Sequence, residues 1–339
     1  MCLQGVMSLW LACPKNLMSD LLPASGKYPK RTFLWKATLS GGLLVWLLGR
    51  LDWRIFFDLI THGRWVFLFP AVACLFGGIL LSVYRWKLIL SDLGVTVSDF
   101  LLWRLILTGF FFNQFLPSTI GGDGYRFLRL HKRYPDQRAP VIASIVLDRT
   151  SGYIALLGVH FALLPLAIKN VVQHEWLGLI EIILGIGVIC LFVLWVMRHR
   201  WIPLFSRLNL PSFALYEKVL QFLELVTSRR RRAIALALVF SAIFVILNGV
   251  ALGFYLRVLG FFPSWLPVLL ASTLSSVVGV LPISINGLGL VEVVAVIALE
   301  PIGLPQEGIL LAIFLLRVAN LAVGLIGGLL YGLEPWLKE

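Results

Sequence analysis

The chain has 339 residues, of which 59% are hydrophobic and only 14% charged. A soluble domain carries about 25% charged residues, so this balance excludes an ordinary soluble globule and indicates a polytopic membrane protein. On a soluble protein the formal net charge of +12 would suggest nucleic acid; here it fits cytoplasmic loops facing anionic lipid headgroups, and no nucleic-acid partner is expected.

Residues 1–32 read as a cytoplasmic tail. The stretch LWLAC at 9–13 lacks a basic flank and a long apolar core, so no cleaved signal is expected and the first span directs insertion. Apolar runs approaching the roughly 20 residues of a spanning helix follow at Ala37–Leu51, Trp65–Leu90, Val141–Ile168, Leu177–Met197, Ala233–Leu256 and Gly308–Tyr331. Two shorter runs, Phe100–Leu116 and Trp265–Leu281, each end at Leu-Pro. Residues 334–339 form a short C-terminal tail. Cys2, Cys13, Cys74 and Cys190 show no CxxC spacing, so neither a metal site nor a disulfide framework is expected.

The distribution of basic residues orients the chain, because Lys and Arg near span ends favour the cytoplasm. Lys15, Lys27, Lys30 and Arg31 lie in the tail, and Arg198 to Arg232 make the central loop strongly basic. If all eight apolar runs cross, the tail and the central loop fall on opposite sides. If Phe100–Leu116 instead dips in and returns, both become cytoplasmic, and a matching dip at Trp265–Leu281 leaves the uncharged-or-acidic stretch 282–306 outside. The expected fold is therefore all-α, with six full spans plus two re-entrant helical hairpins; eight full spans is the alternative.

An internal repeat supports that choice. FLPSTIGG at 115–122 aligns with VLPISING at 280–287, and LDR at 147–149 with LLR at 315–317. Three crossings per half would invert the second half, giving repeats over about 33–168 and 177–333 within one transmembrane domain. Proline ends a helix, so breaks are expected at Pro117 and Pro282. Gly121, Gly122 and Gly124 in one half, and Gly287 and Gly289 in the other, would supply positive φ and close backbone approach. Freed backbone groups are tolerable at membrane depth only inside protein or beside a wet cavity.

Charges within the spans mark the candidate site. Asp148 and Arg149 lie seven residues into a span, about 10 Å along the helix. Arg317 lies near the middle of the last span, with Asn320 one turn later on the same face. Such charges cost about 2.5–3.5 kcal/mol at mid-membrane and face partners or polar cavities. Arg149 or Arg317 is expected to pair with Asp123, Asp148 or Glu292 across the repeat interface. Asn113 and Gln114 either line the cavity or cap the broken helix. His160 reads as a packed or hydrogen-bonded histidine, and Glu181 and Glu300 as side chains reaching for the membrane interface. Tyr84-Arg85-Trp86-Lys87 reads as an interfacial belt. No GxxxxGK[ST] loop, HExxH pair or GxSxG elbow occurs, so neither ATP-driven pumping nor those enzyme chemistries are expected, and no cofactor is implied.

The pieces NQFLPSTIGGDGYR at 113–126, LDR at 147–149 and LPISINGLGLVE at 281–292 resemble the signatures of the flippase-like transmembrane family typified by the membrane region of lysylphosphatidylglycerol synthase. The resemblance covers roughly residues 35–333. It implies a bacterial or archaeal plasma-membrane protein, N-terminus cytoplasmic, that moves anionic or aminoacylated phospholipids or other lipid-linked headgroups between leaflets. It also implies Asn113, Asp123, Arg126, Asp148, Arg149 and Glu292 as headgroup-site candidates, to which Arg317 and Asn320 are added from their position. The synthase itself continues into a soluble aminoacyl-transferase domain, whereas this chain stops at Glu339, so transferase activity is not expected. A homo-oligomer or a separate lipid-modifying enzyme is the protein partner this picture allows. The competing readings are an ion-coupled transporter of a small solute, a membrane-embedded lipid-modifying enzyme using Asp123 or Asp148, and a structural partner of another enzyme.

Overall fold

A computed structural model describes residues 52–115, 121–172, 178–187, 231–281 and 283–333, together with isolated helical positions between Thr38 and Gly49. Pro117 and Pro282, and most of the expected spans Ala37–Leu51 and Leu177–Met197, lie outside the described residues. All regular structure among the described residues is helical. The α-helices are α1 (Trp53–Thr61), α2 (Leu68–Asp92), α3 (Asp99–Phe115), α4 (Gly121–Arg133), α5 (Arg138–Val172), α6 (Gly178–Gly187), α7 (Arg231–Val258), α8 (Trp265–Val280), α9 (Leu290–Leu299) and α10 (Gln306–Gly332). Five helical stretches are long and apolar enough to cross a membrane: Trp65–Asp92, Pro135–Leu166, Arg232–Val258, Ile285–Ile302 and Gln306–Gly332.

The last-but-one of these stretches is interrupted. Asn286, Gly287 and Gly289 adopt φ of 50°, 70° and 82°, so its continuous α-helix is only the ten residues of α9. At 1.5 Å per residue α9 is about 15 Å long, half of a roughly 30 Å hydrocarbon core. It folds back along α8, and α4 folds back along α3 in the same way. The stretch 282–306, expected outside from its lack of Lys and Arg, is largely helical. It carries the return arm of a hairpin, with Val294, Ala295, Val296 and Leu299 buried.

The helix ends have local causes. Leu281, which precedes Pro282, sits at φ −63° and ψ 132°, the extended conformation that a following proline enforces, and α8 stops at Val280. Asp52 caps α1 by accepting from the Arg54 N–H at 2.9 Å. Its own N–H donates to Glu307 at 3.2 Å, tying α1 to the start of α10.

Packing joins the two halves crosswise. α2 and α7 pair along their length, α3 lies on α10, and α8 lies on α5. Each hairpin thus leans on the closing helix of the other half. Small residues set these distances, as is usual between helices in lipid, where hydrophobic burial gives no net drive. A Cβ at Gly327 would stand 1.9 Å from the Leu107 carbonyl oxygen, and one at Gly328 would meet the Phe111 ring at 2.7 Å. The Thr108 hydroxyl donates to the Gly327 carbonyl at 3.2 Å across this seam.

This contact makes a direct prediction. Gly327→Ala forces backbone against backbone and should cost about 1–3 kcal/mol, the usual range for overpacking. Gly332→Ala, where a Cβ meets open space, should leave the melting temperature in detergent unchanged.

Candidate functional site

The first hairpin is closed by its own polar residues. Gly122 donates its backbone N–H to Asn113 Oδ1 at 3.0 Å, so the last turn of α3 caps the first turn of α4. A Cβ on Gly122 would lie 2.4 Å from the Gly109 carbonyl. Gly122 is required for close approach. Gly121, Gly122 and Gly124 are all helical, and none has the positive φ expected from the sequence. Nothing lies near the Cβ position of Gly124.

The third residue of α4, Asp123, receives a two-pronged contact from Arg149 of α5. Arg149 Nε donates to Oδ2 at 2.7 Å and Nη2 to Oδ1 at 3.0 Å, the fork geometry that makes guanidinium–carboxylate pairs strong. Asp148 faces elsewhere, as neighbours about 100° apart on a helix must. It accepts from Arg85 Nε of α2 at 2.6 Å, and Arg85 Nη1 donates to the Ser241 hydroxyl of α7 at 2.9 Å.

Arg126 lies between these pairs and is matched by neither. Its Nη1 is 3.6 Å from Asp123 and 3.7 Å from Asp148, and its buried Nε has no hydrogen-bond partner. The guanidinium rests over the Trp86 ring, 5.2 Å from its centroid, a favourable cation–π placement. On its other side is Gly109, where a Cβ would come within 2.9 Å of Nε. Among the described residues, three guanidiniums, of Arg85, Arg126 and Arg149, therefore meet two carboxylates, of Asp123 and Asp148, an excess of one positive charge.

These side chains border a cavity of about 270 Å³. Arg85, Asn113, Arg126, Asp148 and Arg149 form its polar end, with Ser82, Ser241, Asn248 and Ser276 along its walls. Phe110, Leu156, Phe244, Val245 and Val280 make the rest apolar. Tyr153 and Val280 line it and are also 40% and 44% exposed, so the mouth lies on the outer surface between α5 and α8. Leu281, next to Val280 in the chain, is also exposed.

The second hairpin repeats the construction. Glu292 is the third residue of α9, as Asp123 is of α4. It accepts from Arg317 Nε of α10 at 2.6 Å through Oε1, and from the Gly289 N–H at 2.8 Å through Oε2. Arg317 also reaches the carbonyls of Asn286 and Gly287 at 3.5 and 3.4 Å. The positive φ at Gly287 and Gly289 turns these backbone groups toward it. Asn286 donates to Gln114 Oε1 at 3.4 Å, so the ends of the two hairpins touch.

Several expectations are corrected here. Arg149–Asp123 and Arg317–Glu292 pair within their own halves, not across the interface, because each arginine secures the hairpin that precedes it. Asn320 donates to its own helix at Leu316 and joins neither pair. Glu292, Arg317 and Asn320 do not line the cavity, which holds Asn113, Arg126, Asp148 and Arg149. Asp123 stands behind it, held by Arg149. Arg85 and Trp86 belong to the site and not to an interfacial belt. The signal for Arg85 was present: Gly78, Ser82 and Arg85 recur at helical spacing and mark one small, polar face of an apolar span. His160 is packed as expected, while Glu181 turns inward to it at 2.9 Å and does not reach for the interface.

Across residues 33–328 the chain matches the model of the lysylphosphatidylglycerol synthase TM region. The helical fold and its paired hairpins thus define a multi-pass membrane protein of this kind. The chain belongs to that family, whose matched region is the membrane part alone and does not include a transferase domain. No curated protein matches the sequence.

The buried pair Arg85–Asp148 gives a stability prediction. Asp148→Asn should lower stability by about 3–5 kcal/mol by leaving Arg85 without its counter-charge. Arg85→Met added to it should recover much of that loss. Thermal unfolding of both single variants and the double variant in detergent measures the coupling.

Proposed function

We propose that the chain passes lipid headgroups between membrane leaflets, taking the headgroup into the cavity while the acyl chains stay in the bilayer. The observation that carries this is Arg126: a buried guanidinium with an unpartnered Nε, in a site one positive charge in excess. A phosphodiester supplies the single negative charge and the oxygen acceptors that the site lacks. A guanidinium is suited to it by its planar array of donors.

The dimensions support a headgroup as cargo. A cavity of about 270 Å³ sits near the lower end of ligand pockets, roughly 300–1,000 Å³, and holds a phosphate with a small alcohol but no acyl chains. The sideways mouth between α5 and α8, where Tyr153 and Val280 are exposed, favours lipid over a water-soluble solute, which needs no lateral opening. Asp123 and Asp148 are both engaged by guanidinium groups, which supports binding over acid–base chemistry on the lipid. Anionic phospholipids are the natural ligands of such a site, and an aminoacylated one could place its ammonium near Asp148.

In this reading the two halves are inverted repeats, their hairpins enter the membrane from opposite faces, and the N-terminus is cytoplasmic. The plasma membrane of a bacterium or archaeon is the setting the family resemblance implies. The halves open alternately about the cavity, and the Gln114–Asn286 contact parts when the hairpin ends separate.

Reconstitution tests the proposal. Vesicles containing the protein should redistribute a fluorescent phosphatidylglycerol between leaflets faster than empty vesicles. Arg126→Ala should slow this at least tenfold, consistent with about 1.5–3 kcal/mol for a hydrogen bond to a charged group. Equal rates in loaded and empty vesicles for every anionic lipid tried would overturn it.

A further inference from the structure

Beyond the cavity, α5 carries a second polar group. His160 lies one turn past Leu156, which lines the cavity, and Thr273 lies one turn before Ser276, which lines it from α8. His160 is fully buried. Its Nδ1 is 2.9 Å from Thr273 Oγ1, and its Nε2 is 2.9 Å from Glu181 Oε2 of α6.

The Thr273 hydroxyl lies 2.9 Å from both the Leu270 carbonyl and His160 Nδ1, so it either donates to the carbonyl and accepts from Nδ1–H, or donates to Nδ1. Nε2 and Oε2 cannot face each other at 2.9 Å as two bare acceptors, so at least one proton lies between them. In either arrangement the pair has room for one more proton, and taking it up raises the net charge by one.

Among the described residues few titratable groups lie on the elements packed against the pair. α8 contains no titratable residue, and α7 contains none between Arg232 and Tyr255. Glu181 is the sole titratable residue of α6, and on α9 Glu292 is engaged by Arg317. Along α5 the nearest are Tyr153, Arg149 and Asp148 toward the cavity and Lys169 toward the other end. Leu157, Val159, Ile180 and Leu184, neighbours of the pair along α5 and α6, belong to apolar clusters. A structural contact here would need no ionisable groups, since apolar residues of similar volume usually serve at least as well.

We propose that His160 and Glu181 form a proton-binding site, one helical turn from the cavity, whose occupancy is coupled to headgroup movement. This rests on the translocation reading for its coupling half. The proton adds to the shared pair from water in the cavity and leaves the same way; no other bond is made or broken. Because net charge changes by one, the pair can favour one arrangement of α5 against α8 when protonated and the other when not. Linkage then makes headgroup and proton affect each other equally.

Two measurements decide it. Infrared difference spectroscopy of the full chain in lipid nanodiscs, between pH 5 and 8, should show a carboxylic-acid band that is lost in Glu181→Gln and altered in His160→Gln. Absence of the band, or its persistence in Glu181→Gln, overturns the proton site. In vesicles, an imposed gradient of one pH unit should displace the leaflet ratio of labelled phosphatidylglycerol by up to about tenfold per coupled proton. The displacement should reverse with the gradient and vanish in Glu181→Gln, while equilibration without a gradient persists. Redistribution that ignores the gradient in the native chain overturns the coupling and leaves the translocation reading standing. No redistribution at all overturns translocation and coupling together, and the infrared titration still decides the proton site. Should Glu181→Gln not fold, His160→Gln carries both measurements.

Discussion

A helix that breaks at membrane depth frees backbone groups that lipid cannot satisfy, at several kcal/mol each, so the protein must supply their partners. Both hairpins meet this demand with the same parts. An acidic residue at the third position of the return helix receives an arginine from the next long helix, and nearby polar atoms take up the freed amides. At α4 Asn113 accepts from the Gly122 amide beside the Asp123–Arg149 pair; at α9 Glu292 accepts from the Gly289 amide and Arg317 donates to the carbonyls of Asn286 and Gly287. Each ion pair solves two problems at once. It neutralises charges that would be costly alone, and it clamps a break that would otherwise be exposed.

Arg126 stands apart because those demands are already met without it. Asp123 is held by the Arg149 fork and Asp148 by Arg85, so the third guanidinium finds only contacts beyond hydrogen-bond length. Its place is maintained by the Trp86 face and by the missing side chain of Gly109. A buried arginine positioned by an aromatic ring and a glycine retains donors for a ligand. One positioned by a carboxylate fork has already spent them. That difference separates the binding end of the cavity from its scaffold.

The long helices were legible in the sequence because a spanning run announces itself by length. The expected Trp65–Leu90, Ala233–Leu256 and Gly308–Tyr331 each end within two residues of the apolar helical stretches Trp65–Asp92, Arg232–Val258 and Gln306–Gly332. The return arms were not legible. α4 is charged and short, like a loop, and α9 is apolar but lacks Lys and Arg, a property shared by external loops and buried helices. Pair partners were also obscured. Asp123, Asp148, Arg149, Glu292 and Arg317 were identified as charges needing partners, yet who meets whom depends on the crossing of α2, α5 and α7. Arg85 was misread with its neighbours as one belt. Successive helical residues turn by 100°, so Tyr84 faces out, Lys87 pairs with Asp99 and Trp86 is buried, while Arg85 enters the cavity.

Pairing within halves, together with packing between them, determines where relative movement is least costly. Moving a hairpin against its own closing helix would break Asp123–Arg149 or Glu292–Arg317, each a short, part-buried charged contact. Moving one half against the other leaves both intact. The polar contacts strained by that motion include Arg85 to Ser241, His160 to Thr273, Thr108 to Gly327, Asp52 to Glu307 and Asn286 to Gln114, of which the last is already 3.4 Å long. The glycine seam of α10 on α3 resists separation but has no charged contact to lose. In the proposed cycle the boundary that yields is therefore the one the cavity occupies, between α2, α5, α7 and α8. In the same proposal, the ion pairs that hold each hairpin leave Arg126 at the edge of that boundary, as the binding group for a headgroup entering from the side.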